Sequence, residues 1–206
     1  MRLEQLIDQA RERTGLSDFD SDSFREPLAL LLKGIEARPE HERMMTALNE
    51  ELVTALSNRL RVADYLNSHP ELEAAPLEDP VIIMGMPRTG TTILSYLLDC
   101  DPQWRSLLNW EATDSIPPPT TATLRSDPRC VAKKKFQEEI FPLIPFSVPH
   151  WEWADGPTEC IFLHAQDFKA LSWEARAVSR EYANYMLSCD MTSAYEYQKK
   201  VMRVLQ

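Results

Sequence analysis

The sequence predicts an α/β fold that is rich in helix and short of strand. Three observations lead there. Apolar stripes at helical spacing fill the first eighty residues. The run "PVIIMG", residues 80–85, is unbroken and β-branched between a proline and a glycine, which reads as a strand buried on both faces of a parallel sheet. After Glu111 no further convincing strand follows. A sheet of two strands is marginal by itself, so the sheet is expected to be incomplete within this chain.

Taken in order, Leu3, Leu6, Ile7 and Ala10 share one face of a first helix that stops at Gly15. Ser23 and Glu26 are spaced as a capping box for a second helix, with Phe24, Leu28, Leu31 and Ile35 as its stripe. A longer helix after Pro39 turns Met45, Leu48, Leu52, Leu56, Leu60 and Ala63 inward. The run "SHPELEAAPLEDP" breaks that periodicity and sets the internal boundary. Residues 1–78 then form an N-terminal helical region, and residues 79–206 a second region built around the strand. In it "TTILSYLLDC" reads as a helix that stops before Pro102, and "WRSLLNWE" as a second strand. "IPPPT" is an extended turn, and helices resume over about 128–141, 157–168, 173–189 and 192 to the end. The last residues, "YQKKVMRVLQ", are still in mid-stripe, which reads as a truncation.

The totals exclude several function classes. With 206 residues, 44% of them apolar and five tryptophans, the chain has enough for a core. A net charge of −10 argues against a nucleic-acid partner, which calls for a basic face. No apolar run reaches transmembrane length, and the N-terminus lacks the apolar core of a secretion signal. The four cysteines lie about thirty residues apart with no CxxC, so reduced thiols in a cytoplasm and no metal site are expected. Homo-oligomerisation is left open.

The chemistry concentrates in "VIIMGMPRTGTT", residues 81–92. A strand that enters a glycine turn and then a helix aims backbone N–H groups and the helix's positive end at one point, which suits a phosphate or sulfate. Gly85 and Gly90 allow the sharp exit and the close approach. Thr91 and Thr92 supply hydroxyls, and Arg88 a permanently charged fork. Against the nucleoside-triphosphatase pattern G-x-x-x-x-G-K-[ST], Thr91 stands where the lysine belongs. Without that cation, ATP or GTP hydrolysis is disfavoured.

"PRTGTT", residues 87–92, resembles the 5′-phosphosulfate loop of sulfotransferases, P-[KR]-[ST]-G-T-[TS], in the arginine form of the bacterial and tyrosylprotein branches. The later "GPTECIFLHAQDF" and "YEYQKKVMRVLQ" are similar to helices of the bacterial branch, so the likeness runs from about 79 to 206. It implies a sulfotransferase-like three-layer fold with a parallel sheet. It also implies 3′-phosphoadenosine 5′-phosphosulfate (PAPS) as donor, no metal, and a small-molecule hydroxyl as acceptor. Pro87, Arg88, Thr89, Gly90, Thr91 and Thr92 would hold the 5′-phosphate, with Arg88 beside the leaving oxygen. Glu111, at the end of the second expected strand, sits where such relatives place a catalytic glutamate. Cytosolic members use a histidine instead, so His150, among the aromatics of "VPHWEW", is the alternative base, while His164 reads as a helix residue. The arginine and serine that grip the donor's 3′-phosphate in this family would lie beyond Gln206, which implies a chain that does not catalyse by itself. The alternatives are a non-enzymatic interaction module and a kinase-like transferase. "KKK", residues 133–135, reads as a solvated helix face.

Overall fold

The computed structural model describes residues 2–37, 45–77, 79–86, 88–145, 152–177 and 179–206. The chain divides into two compact units, one of Met1–Pro76 with Cys160–Val204, the other of Leu77–Glu159 with Leu205–Gln206.

The first unit is helical. Helices α1 (Leu3–Thr14), α2 (Arg25–Glu36) and α3 (Met45–Ser68) are followed by a single turn, α4 (Glu71–Ala74). The second pass through this unit adds α7 (Ile161–His164), α8 (Leu171–Ala177), α9 (Arg180–Ser188) and α10 (Thr192–Leu205). The expected stripes form its core: Leu6, Ile7 and Ala10 of α1 and Leu48, Leu52, Leu56 and Leu60 of α3 are buried together. α1 packs on α3, and α2 on α8 and α9. Gly15 ends α1 in a left-handed conformation (φ 72°) and returns its N–H to the Arg11 carbonyl, a stop that needs glycine.

A charged knot lies inside this core. Arg59 donates to Asp167 at 3.1 Å, and both side chains are buried. Asp167 also accepts from the hydroxyls of Ser23 and Ser193. Arg59 further donates to the Phe19 carbonyl at 3.2 Å and lies over the Tyr197 ring at 4.9 Å. The capping box expected at Ser23 is therefore not built. Phe24 occupies the cap position of α2 without a side-chain bond, because the Ser23 hydroxyl is committed to Asp167. Two further expectations are corrected. The helix expected over 157–168 is one turn of α-helix with a 3₁₀ turn, Ala165–Asp167, behind it. The helix expected over 173–189 is two helices, α8 and α9, the latter capped by the Ser179 hydroxyl.

The second unit carries α5 (Thr91–Asp99) and α6 (Pro128–Ile140). Asp127 caps α6 by accepting from the Arg129 N–H, and Pro128 fills the first turn, where no donor is needed. Its small core is Leu108, Trp110, Leu124, Cys130 and Ala154. Neither expected strand is built among the described residues. Residues 81–86 carry no strand pairing, and Val81, Ile82, Met84 and Met86 are exposed rather than buried on two faces. Residues 104–111 reach only one antiparallel bridge, Leu108 with Pro157, before the chain turns. The observed architecture is helix-rich, and a parallel sheet is not present among the described residues. No helix among them is long and apolar enough to cross a membrane.

Candidate functional site

The loop after residue 86 folds on itself. Arg88 and Gly90 both take left-handed conformations, φ 68° and 93°. The Thr89 hydroxyl donates to the Met86 carbonyl at 2.6 Å and closes the turn. Gly85 lies under that turn: a Cβ there would meet the Thr91 methyl at 2.8 Å and the Thr89 hydroxyl at 3.0 Å. Gly90 is the N-cap of α5, whose first bond runs from the Leu94 N–H to the Gly90 carbonyl. Alternating left-handed residues before a helix turn successive N–H groups toward one side, the geometry of an anion-binding nest. Arg88, Thr89, Gly90 and Thr92 are exposed, and Thr91 is partly so. Pro87 lies outside the described residues, as does His150.

α5 is held by its far side. The Tyr96 hydroxyl bonds to the Trp153 backbone, and it comes so close to Gly156 that a Cβ there would lie 2.5 Å from it. Burial raises the Tyr96 phenol above its usual range, and the nearby Glu152, Asp155 and Asp99 add to this.

Glu111 is placed very differently from the loop. Its side chain has no exposed surface. Arg105 grips it with both terminal nitrogens, at 3.2 and 2.7 Å, and the Leu108 N–H donates to it at 2.8 Å. Burial pushes its carboxyl above the usual range, while Arg105 and the Leu108 N–H pull the other way. The surrounding turn is clamped from α6. Lys133 donates to the Asn109 carbonyl at 2.8 Å and to the Thr113 hydroxyl at 3.1 Å. Arg129 lies over the Trp110 ring at 4.7 Å and reaches the Asp114 and Pro117 carbonyls. Lys133 is thus no solvated lysine, and burial lowers its pKa to about 8. Lys134 pairs with Asp155.

The structure brings Arg88, Thr89, Gly90, Thr91 and Thr92 together. Among the described residues no hydrogen bond or ion pair joins that loop to Glu111. His164 is buried in the helical unit, where its Nε2 bonds to Gln198 at 2.7 Å. Sequence reasoning missed Arg105 and Lys133, the partners that fix Glu111 and its turn. The only sequence signal was a basic residue six positions before the glutamate. Among the described residues no group of three or more His, Cys, Asp or Glu is set to hold a metal ion.

The model of the "Sulfotransferase family" matches residues 80–205, more than half of the chain and with the whole loop inside it. The chain belongs to the sulfotransferase family. Two solved structures agree. Sulfotransferase STF9 from Mycobacterium avium is 46% identical with a TM-score of 0.90, over 99% of this chain and 53% of that one. Sulfotransferase STF1 from Mycobacterium tuberculosis H37Rv is 25% identical with a TM-score of 0.78, over 100% of this chain and 57% of that one. No curated protein matches the chain. The chain therefore spans about half the length of the solved relatives it matches.

Proposed function

We propose that the chain carries the donor loop of a PAPS-dependent sulfotransferase that acts on a hydroxyl of a small molecule. The observation that carries this reading is the loop itself: left-handed Arg88 and Gly90, the Thr89 closure and the Thr91 helix start, all within the family match. Backbone N–H groups of 88–92, with the Thr91 and Thr92 hydroxyls, hold the donor's 5′-phosphate. Arg88 lies toward the bridging oxygen. As the acceptor oxygen bonds to sulfur, the S–O bond to the phosphate breaks and its electrons pass to the phosphate. A guanidinium there stabilises the growing charge more in the transition state than in the ground state. The threonine at position 91 leaves no lysine for a γ-phosphate, which favours a sulfonate donor over ATP.

The acceptor's proton goes to a base, and Glu111 is the residue proposed for it. A second reading is favoured by one observation, the three donors around a carboxylate with no exposed surface. In that reading Glu111 is a strut that fixes the turn after residue 108. The spacing of the four cysteines, about thirty residues apart with no CxxC, supports a reducing, cytoplasmic setting.

The deciding experiment is calorimetric titration with 3′-phosphoadenosine 5′-phosphate, the donor's desulfonated form, with ATP and Arg88→Ala alongside. One charge-assisted bond contributes about 1.5–3 kcal/mol, so Arg88→Ala is expected to weaken binding roughly ten- to a hundredfold. No binding of the 3′-phosphorylated nucleotide, or an unchanged affinity in the variant, would refute the reading.

A further inference from the structure

The second unit also holds a cavity that the donor reading does not use. It measures about 390 Å³ and is lined by Glu138, Phe141, Pro142, Pro145 and Trp153. That volume lies within the range of small-molecule sites. Its aromatic walls are set by the chain. α6 ends at Ile140 and passes into a 3₁₀ turn, Phe141–Leu143, which brings Phe141 to the cavity. The buried Gln137 side chain brackets Trp153, donating to the Glu152 carbonyl at 2.9 Å and accepting from the Ala154 N–H at 2.7 Å. The Phe141 and Trp153 rings stand 4.7 Å apart at 58°, an open corner rather than a stack, and 37% of Trp153 stays exposed. Among the described residues that line the cavity, Glu138 alone carries charge. It lies in the last turn of α6, which has no basic residue, so the carboxylate stands at the negative end of the helix. Lys134, one turn before it, pairs with Asp155 instead.

We propose that this cavity binds a small organic ammonium ion, a quaternary or alkylated amine with an apolar body. Aromatic faces carry negative potential and attract a cation whose charge is spread over alkyl groups. Phe141 and Trp153 cover those groups, and Glu138 supplies the counter-charge at the rim. The sign of the charge excludes other classes of ligand. An anion, a nucleotide included, would meet Glu138 and the negative end of α6 with no cation among the described lining residues. A neutral apolar molecule would fill the walls and gain nothing from the carboxylate. The site is also set before a ligand arrives. Gln137 holds both backbone neighbours of Trp153, and the Tyr96 hydroxyl bonds to the Trp153 backbone, so binding orders little of the wall. Binding here needs no nucleotide and stands or falls separately from the donor reading.

The test titrates the chain with choline and with its neutral carbon isostere, in which a tert-butyl group replaces the trimethylammonium group. Sodium chloride holds the ionic strength constant, and binding is read from amide and indole shifts in nuclear magnetic resonance. The expected result is a saturable shift with choline, centred on residues 138–145 and Trp153. The isostere should bind about three- to thirtyfold more weakly, the span of one cation–π contact. Glu138→Gln changes an exposed position, so it should leave the amide spectrum in place while weakening choline by a similar factor. Trp153→Leu should abolish binding, and Trp153→Tyr, which keeps a ring, should retain it. Where a Trp153 variant disturbs the fold, Glu138→Gln and the isostere decide the matter. No saturable shift, equal affinity for the isostere, or an affinity unchanged in Glu138→Gln would each overturn the assignment. Choline binding without nucleotide binding would refute the donor reading alone, and the reverse would refute only the ammonium site.

Discussion

The pair Arg105–Glu111 decides whether the glutamate is held or free, and a double-mutant cycle measures it. The four forms are the parent, Arg105→Ala, Glu111→Gln and the double variant, each followed by urea unfolding. Glu111 has no exposed surface and Arg105 is 22% exposed, so the pair stands between two known cases. Exposed pairs contribute about 0.2–1 kcal/mol, and removing one partner of a fully buried pair costs about 3–5 kcal/mol. Two Arg105 contacts at 3.2 and 2.7 Å place the coupling near the middle, about 2–3 kcal/mol. Arg105→Ala alone strands a buried carboxylate and is the costlier single change. Glu111→Gln leaves an oxygen for the Leu108 N–H. The pH dependence has a definite sign. Because burial raises the Glu111 carboxyl, its contribution to stability is fully present below the ordinary carboxylate pKa and is lost as pH rises through the folded value. Arg105→Ala removes the charge that opposes the rise, so it should steepen that loss. Costs that add to within about 0.5 kcal/mol would refute the held carboxylate, as would fast exchange at the Leu108 amide in the parent.

In the helical unit, Asp167→Asn leaves the buried Arg59 unpaired and is expected to cost about 3–5 kcal/mol, read as a lower urea midpoint. Gly156→Ala places a methyl 2.5 Å from the Tyr96 hydroxyl, so the ring must leave the Trp153 backbone. The expected cost is about 1–3 kcal/mol in melting experiments, with the Tyr96 titration returning toward its usual range. Burial holds the His164 imidazole below its ordinary pKa of 6.5, so the unfolded chain binds the proton first as pH falls. Stability is therefore lost on acidification below that value, and His164→Gln should flatten that part of the profile.

The helical elements were legible where the cause is local. The 3.6-residue stripes of α1 and α3 fix which face is buried, and Asp127–Pro128 announces the start of α6. Legibility stops where the partner is distant. Ser23 looks like a cap by spacing, but its hydroxyl bonds to Asp167, 144 positions on. The second strand fails for a reason a pattern of apolar residues does not carry. The Glu111 carboxylate takes the Leu108 N–H, and the Ala112 N–H bonds to the Leu108 carbonyl, so the chain curls after a single bridge. Lys133 looks solvated in a run of three lysines, yet the phase of α6 aims it at the Asn109 carbonyl. At the loop, spacing placed Thr91 at the start of a helix, as the structure has it. The left-handed backbone of Arg88 was not legible, since a non-glycine residue rarely takes it.

The backbone that enters the loop bears on how firmly the loop can hold an anion. Residues 81–86 precede the loop, in which the left-handed backbone of Arg88 costs about 1–2 kcal/mol unless its surroundings impose it. Among the described residues, the Thr89–Met86 bond and the close packing of Gly85 under Thr89 and Thr91 are what restrain the loop from the side of residues 81–86. Fixing the backbone at 81–86 would fix the backbone from which the loop's N–H groups point, so an anion would meet a nest already set rather than one it must order. What restrains residues 81–86 would then act on anion affinity through the loop without touching the anion.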